Sequence, residues 1–194
     1  MPFKQRVFGF VIFVALILIV QGCGGSSHKP INAAAGDKYY LKNNIHAQVG
    51  PRDAKASYAN WTDPGGGHVI IPVNTPVKIG KYRKGLVIKN LTDERKIYFE
   101  FNSRNMGMGV DEYIQLIASS TSVSLDKLSN VDLKGIKEGK VYAGMTKQGV
   151  RVALGYPAAH RTPSLEDNVW IYWRNRFQTV AVEFNPSGKV THIR

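Results

Sequence analysis

One cysteine and five histidines are the side chains with the most distinctive chemistry in this 194-residue chain. The histidines are spread along it, at His28, His46, His68, His160 and His192. Their positions show no metal-binding spacing such as HExxH, and Cys23 is too isolated to join them as a ligand. A lone cysteine also excludes an internal disulfide and a two-cysteine redox site. We therefore predict no metal site and no cofactor.

Carboxylates could supply a general acid and a general base, which many hydrolases require. The candidates are Asp63, Asp111, Glu112, Glu166 and Asp167. Nothing in their spacing brings them into one cleft, and the chain has no GxSxG motif for a nucleophilic serine. We predict no catalytic residue and a protein that is not an enzyme; an exported hydrolase is kept only as a third alternative.

An aromatic and basic segment from Trp170 to Phe177 is the best candidate for a contact surface. Alternation along a strand places Trp170 and Tyr172 on one face and Ile171 and Trp173 on the other. A core that covers only one face of the strand therefore cannot bury both pairs. Trp and Arg also dominate interface hot spots. The predicted partner-binding residues are Trp170, Tyr172, Arg174 and Arg176, with the arginines meeting an anionic partner or headgroup.

The alternative for this segment is structural. Trp173 and Phe177 would then fill the core, while Trp170 and Tyr172 would be covered by the first half of the chain.

The first 22 residues have the order of a secretory signal peptide. Lys4 and Arg6 precede an apolar run over residues 7–20, and small residues follow it. The run is shorter than the roughly 20 apolar residues that a membrane-spanning helix needs. We therefore expect this segment to be cleaved.

The four residues Val20-Gln21-Gly22-Cys23 resemble the bacterial lipobox. The resemblance implies cleavage before Cys23 and lipid attachment to its thiol. Several acyl chains on one residue give firm anchoring, because each buried methylene contributes about 0.8 kcal/mol. The alternative is an ordinary thiol near the end of an uncleaved anchor helix.

The chain is strongly basic, with 26 lysines and arginines against 14 acidic residues and a formal charge of +12. In an exported protein this excess favours an anionic neighbour, such as phospholipid headgroups, lipopolysaccharide or cell-wall polymer. Nucleic acid is absent from the expected compartment and is not a predicted partner. The alternative is that dispersed lysines only keep the protein soluble.

The first half of the mature chain is β-like. After a flexible tether rich in glycine and small residues, turn residues separate short apolar alternations. The predicted strands cover residues 39–45, 68–73, 76–82, 85–90 and 96–102. These strands predict a small antiparallel sheet or partly closed barrel. The residue pattern at 71–77 resembles that of small SH3-like barrels.

The second half combines helices with strands. A helix is predicted over residues 110–119, and another follows Thr146, a natural N-cap, and ends before Gly155. Gly149 lies inside that helix, at a cost of roughly 1 kcal/mol relative to alanine. Three strands then follow, over residues 169–173, 180–184 and 189–193.

This carboxy-terminal pattern resembles the SmpA/OmlA (BamE-like) domain family, which occurs in a small lipoprotein of the outer-membrane β-barrel assembly machine. The resemblance covers roughly residues 134–194. It is carried by Gly144-Met145-Thr146, Leu154-Gly155-Tyr156-Pro157, Trp170-Ile171-Tyr172, Val182-Glu183-Phe184 and Gly188-Lys189-Val190. It implies a module of short helices on a three-stranded antiparallel sheet that contacts other envelope proteins.

Together these patterns predict an α+β protein, in which a small antiparallel β domain precedes a BamE-like module. The predicted divisions are a signal peptide (1–22), a tether (23–37), a β-rich domain (38–105), a helical connector (106–133) and a BamE-like domain (134–194). The expected function is binding or scaffolding by a lipoprotein of the cell envelope, in outer-membrane protein assembly or maintenance. Gly24 favours the outer membrane, facing the periplasm, because an aspartate at that position would signal inner-membrane retention. The alternative is a basic β-domain lipoprotein that binds cell-wall polymer or anionic lipid.

Overall fold

The computed structural model describes residues 37–83 and 85–194. The predicted signal peptide, Cys23 and almost all of the predicted tether lie outside these residues. Within them the chain is mostly β structure, with two sheets and short helices. No helix in this described part is long and apolar enough to cross a membrane.

The larger sheet has eight strands. In chain order they are β1 (Tyr39–Leu41), β2 (Ile45–Val49), β3 (Ala54–Ser57), β4 (His68–Ile71), β5 (Pro76–Tyr82), β6 (Gly85–Asn90), β7 (Lys96–Glu100) and β8 (Ala118–Ser119). Their order across the sheet is β4-β2-β3-β7-β6-β5-β1-β8. Neighbouring strands are antiparallel except β3 and β7, which are parallel.

A short connection between β1 and β2 explains why this sheet curls. The two strands are consecutive in the chain, yet four strands lie between them in the sheet. Only residues 42–44 join them, so their ends lie within about 14 Å of each other. On a flat sheet the same strands would be separated by about 24 Å. The sheet therefore curls into a half-barrel.

The inside of the half-barrel holds the first hydrophobic core. Leu86 and Ile88 of β6 are fully buried, while Val87 between them is only half-buried, as alternation requires. Two helices lie between β7 and β8 in the chain, α1 (Ser103–Met106) and α2 (Val110–Ile117). Helix α2 packs Tyr113 and Ile114 into this core, and each such side chain contributes about 1.5–3 kcal/mol on burial.

Two further helices, α3 (Asn130–Glu138) and α4 (Lys147–Leu154), are joined through the fully buried Asp132. Its carboxylate accepts hydrogen bonds from the backbone N–H of Ser129 at 3.1 Å and of Thr146 at 2.7 Å. Ser129 and Asp132 form a capping box for α3, while Thr146 caps α4 through the N–H of Gly149. One carboxylate thus fixes the amino-terminal ends of both helices.

Gly149 allows α4 to lie directly against this carboxylate. A Cβ atom at position 149 would lie 2.8 Å from the Asp132 Cβ and closer still to its carboxylate. The glycine that lowers the helix propensity of α4 is therefore required by close packing.

The second sheet has three antiparallel strands in the order β11-β10-β9. These are β9 (Val169–Trp173), β10 (Thr179–Phe184) and β11 (Val190–Ile193). One face packs on α3 and α4 and forms a second core that includes Met145, Val150 and Val182.

The predicted fold class is wrong. The β-rich half is not a small antiparallel domain, because it forms part of an eight-stranded mixed sheet that contains a parallel pair and takes β8 from beyond residue 105. The described part of the chain is mostly β with few helices, rather than a small β domain followed by a BamE-like three-stranded module. Alternation locates single strands, but the pairing of distant strands leaves no local trace in the sequence.

Candidate binding surfaces

Asn44 joins the half-barrel to helices α3 and α4. Its side-chain amide donates to the carbonyl oxygens of Ile136, at 2.7 Å, and Ala153, at 3.2 Å, and its backbone N–H donates to Val152. The carbonyls of Val152 and Ala153 lie in the last turn of α4, where they have no partner within the helix. Asn44 therefore satisfies carbonyls at the end of α4 from the sheet side, and the two halves share one buried interface.

His46 and His68 form a pair on the outer side of strands β2 and β4. Their rings are nearly parallel, and His46 Nδ1 lies 3.0 Å from His68 Nε2. His46 Nε2 lies 3.0 Å from the carbonyl oxygen of Ala153. Because a carbonyl only accepts, His46 carries its proton on Nε2, so its Nδ1 accepts the proton of His68. Neither hydrogen bond requires a charged ring.

Burial lowers the pKa of His46 to about 4, and it also lowers the pKa of His68. The His46 side chain is only 2% exposed, and the loop at Gly139 packs directly on it. A charged ring at this position would lose its hydration without gaining an anionic partner. The pair is thus a neutral structural contact between the two halves.

The residues predicted to bind a partner occupy two different environments. Trp170 and Tyr172 are each 1% exposed and belong to the second core. Trp170 packs edge-on against Phe184, and the Tyr172 hydroxyl donates to the carbonyl of Gly155; burial raises the Tyr172 pKa. Neither ring is available to a partner in this structure.

Arg174 and Arg176, in contrast, are exposed in the loop that joins β9 to β10. Phe177 beside them is 86% exposed. The Asn175 side chain holds this loop by accepting hydrogen bonds from the N–H groups of Phe177 and Gln178, at 2.9 and 3.1 Å. The loop therefore presents an apolar ring together with two cations in an ordered conformation.

The outer face of β9 extends this surface. Val169 is exposed, and Ile171 and Trp173 are half-buried on the side of the strand that points away from the second core. Across the sheet, Glu183 forms an ion pair with Arg194, and its carboxylate lies 3.5 Å from His192 Nδ1 on the same face. We name this outer face and the loop at residues 174–178 the hairpin surface.

The carboxylates considered as acid or base candidates do not converge. Asp111 pairs with Lys81 at 3.0 Å, and Asp167 accepts from the N–H of Ser164 in a turn. No group of three or more His, Cys, Asp or Glu side chains that could hold a metal ion occurs within residues 37–83 and 85–194.

Two features of these surfaces are not predicted from the sequence. The pairing of His46 with His68 depends on the pairing of β2 with β4, which local patterns do not reveal. Phe177 lies within the predicted contact segment, but its exposure depends on the turn made by Asn175. The turn-forming composition of residues 174–178 is the feature of the sequence that could have indicated this turn.

Comparisons of the chain with protein-family models, with curated proteins and with solved structures give no match. The resemblance to the SmpA/OmlA family and the lipoprotein assignment therefore stay predictions.

Proposed function

We propose that this protein is an envelope lipoprotein, anchored in the outer membrane through Cys23 and facing the periplasm, that acts by binding a protein partner through the hairpin surface. The partner would be a component of outer-membrane protein assembly or maintenance. The observation that carries the proposal is the ordered exposure of Phe177 in the same loop as Arg174 and Arg176.

The energetics of this loop favour binding. An exposed phenylalanine gains about 1.5–3 kcal/mol when a partner buries it. Asn175 already holds the loop in place, so little additional ordering is needed on association. The two arginines can form charge-assisted hydrogen bonds with carboxylates of the partner. Aromatic and arginine side chains together are typical of interface hot spots.

Loss of the loop side chains should weaken partner binding. We expect Phe177→Ser combined with Arg176→Ala to lower recovery of barrel-assembly components in mild detergent about tenfold or more. The fold should persist in circular dichroism, because both side chains are exposed. Lys189→Ala, an exposed change in the other hairpin turn, is the matched control. Unchanged recovery, or recovery of cell-wall fragments without assembly components, would contradict the proposal. Trp170→Ala is unsuitable, because it removes a core side chain.

The lipid anchor is tested separately. We expect cells that express the natural chain to incorporate radioactive fatty acid into it, and Cys23→Ser to abolish the label, because Cys23 supplies the only thiol. Equal expression of the two chains, checked by immunoblot, is the control. A Cys23→Ser protein that still carried label would overturn the anchor.

The alternative function, binding of cell-wall polymer or anionic lipid by a basic β domain, has one specific observation in its favour. The outer face of the eight-stranded sheet carries a basic, aromatic-lined depression, which is separate from the hairpin surface.

A further inference from the structure

A long trough crosses the face of the eight-stranded sheet that points away from the core. Its central part has a volume of ≈ 590 Å³ and is lined by Lys55 of β3 and Tyr98 of β7, which are direct partners in the sheet. A cavity of ≈ 550 Å³ shares Lys55, Tyr98 and Gln48 with this part, and another of ≈ 570 Å³ shares Arg83 and Gly85 with it. The three cavities are therefore neighbours, and we name them together the sheet trough.

Three aromatic rings line the central part of the sheet trough. Tyr82 is 39% exposed, and its ring centroid lies 4.9 Å from that of Tyr98 at an angle of 53°. Trp61, in the loop after β3, is half-buried and lines the same depression. The trough thus offers apolar ring faces to a ligand that lies along it.

The charges of the sheet trough are mainly positive. Its cations, all exposed, are Arg52, Lys55, Lys81, Arg83 and Arg104. Its carboxylates are Asp53 and Glu100. Lys81 is paired with Asp111, whereas Arg83 lies over the Tyr82 ring at 5.2 Å. The excess of cations favours an anionic ligand.

The floor of the sheet trough disfavours an extended peptide. Peptides that bind sheets add as a strand to a free edge, where backbone N–H and C=O groups are unpaired. The trough instead lies over β3 and β7, which are paired on both sides, so their backbone groups already form ladders. A ligand here must be recognised by side chains and ring faces.

Glu100 disfavours a nucleic acid. Aromatic rings and cations can also bind single-stranded nucleic acid, whose phosphates carry one charge per nucleotide. The exposed Glu100 carboxylate lies in the central part and would repel a backbone that carries a charge at every residue, whereas a glycan whose carboxylates are spaced apart can place an uncharged sugar there. It can instead accept hydrogen bonds from sugar hydroxyls.

We propose that the sheet trough binds a carboxylate-bearing glycan strand. The apolar faces of successive sugar rings would lie on Trp61 and Tyr98, the carboxylates would meet Lys55 and Arg83, and hydroxyls would donate to Glu100. The inference rests on the alternative function given above and names its ligand class. Cell-wall glycan and acidic polysaccharide share this chemistry.

Calorimetric titration of the purified full chain in detergent tests the inference. The probes are a uronic-acid hexasaccharide in which the acid alternates with N-acetylglucosamine, a neutral N-acetylglucosamine hexasaccharide, amidase-released cell-wall glycan strands, a glutamate hexapeptide and a thymidine dodecamer. We expect the uronic-acid hexamer to bind at least tenfold more tightly than the neutral one. Tight binding of the cell-wall strands in addition would identify cell wall as the source, and binding of the uronic-acid hexamer alone would identify acidic polysaccharide.

Variants of the sheet trough complete the test. We expect Trp61→Ala with Tyr98→Ala to lower affinity at least tenfold, and Lys55→Glu to remove the preference for the charged hexamer. Lys55→Glu keeps the inference testable if the aromatic variant fails to fold, because Lys55 is exposed. Lys38→Ala with Tyr40→Ala removes a cation and a ring outside the trough and is the matched control.

Three outcomes would overturn the inference: equal affinity for the two hexasaccharides, tighter binding of the peptide or the thymidine probe, or unchanged affinity in the trough variants. None of them affects fatty-acid labelling of Cys23 or recovery through the hairpin surface, so failure of the glycan proposal is distinguishable from failure of the proposed function.

Discussion

Replacing Gly149 with alanine is expected to lower the free energy of unfolding by about 3 kcal/mol, at the upper end of what overpacking costs. Helix propensity alone gives the opposite sign, since alanine is better than glycine in a helix interior by about 1 kcal/mol. The methyl group would enter space held by Asp132. Moving that carboxylate would disturb its hydrogen bonds to Ser129 and Thr146, which position α3 and α4.

Urea unfolding followed by circular dichroism measures this change. Gly66→Ala is the control, because a Cβ atom there meets nothing within 4 Å and the residue lies outside the helices and strands, and we expect a change of less than about 0.5 kcal/mol. In an Asp132→Ala background the carboxylate is absent and only the contact with the Cβ atom at 2.8 Å remains, so Gly149→Ala should cost less than it does in the natural chain. A neutral or stabilising effect of the single change would show that α4 does not lie against the carboxylate.

Acidification should destabilise the protein through His46. In the unfolded chain this ring binds a proton near pH 6.5, whereas burial lowers its pKa to about 4 in the folded chain. Between these values the unfolded state holds more protons, so stability falls as the pH falls. The full effect is about 3 kcal/mol, of which about 2 kcal/mol is lost between about pH 7.5 and about pH 5. His68, whose pKa is lowered in the same direction, adds to this loss.

The measurement is urea unfolding at several pH values in that range, where most carboxylates stay ionised. His46→Gln removes the titrating group and should flatten the pH dependence, while His160→Gln, an exposed change, should not. The same slope in the natural chain and in His46→Gln would contradict the assignment. Asp63, Glu138, Lys140 and Arg174 surround the cavity that His68 faces, so the comparison between variants isolates His46.

Local patterns predict single elements of this protein better than their assembly. Strands β5 and β6 and helix α4 lie at the residues that alternation and capping indicate. Strand β3, Ala54–Ser57, escapes prediction because Ala, Lys and Ser have little preference for strands. The order of the eight strands depends on contacts between distant residues, and the predicted fold class fails for that reason.

The candidate site shows the same division. Alternation separates the two faces of β9, but it does not say which face meets the core, and Trp170 and Tyr172 lie on the buried one. Gly149 looks unfavourable in the sequence, because the local pattern indicates a helix, in which glycine is a poor choice. It gives no sign that Asp132, 17 residues earlier, packs against this position. The sheet trough combines residues from five strands and from the loops that connect them, so no contiguous motif marks it.

The position of β1 within the half-barrel has a consequence for the order of folding during synthesis. This strand is the first of the sheet to be synthesised, yet its two neighbours in the sheet are β5 and β8. Asn44, just after it, donates hydrogen bonds to the carbonyls of Ile136 and Ala153, which are synthesised much later. Such long-range contacts make folding slow, because the entropy of closing a long loop is lost before the contacts can stabilise the structure. Strand β1 can pair with β5 once Tyr82 has been made, but Asn44 completes its hydrogen bonds only after Ala153 has been made, so this part of the chain reaches its full set of contacts late in synthesis.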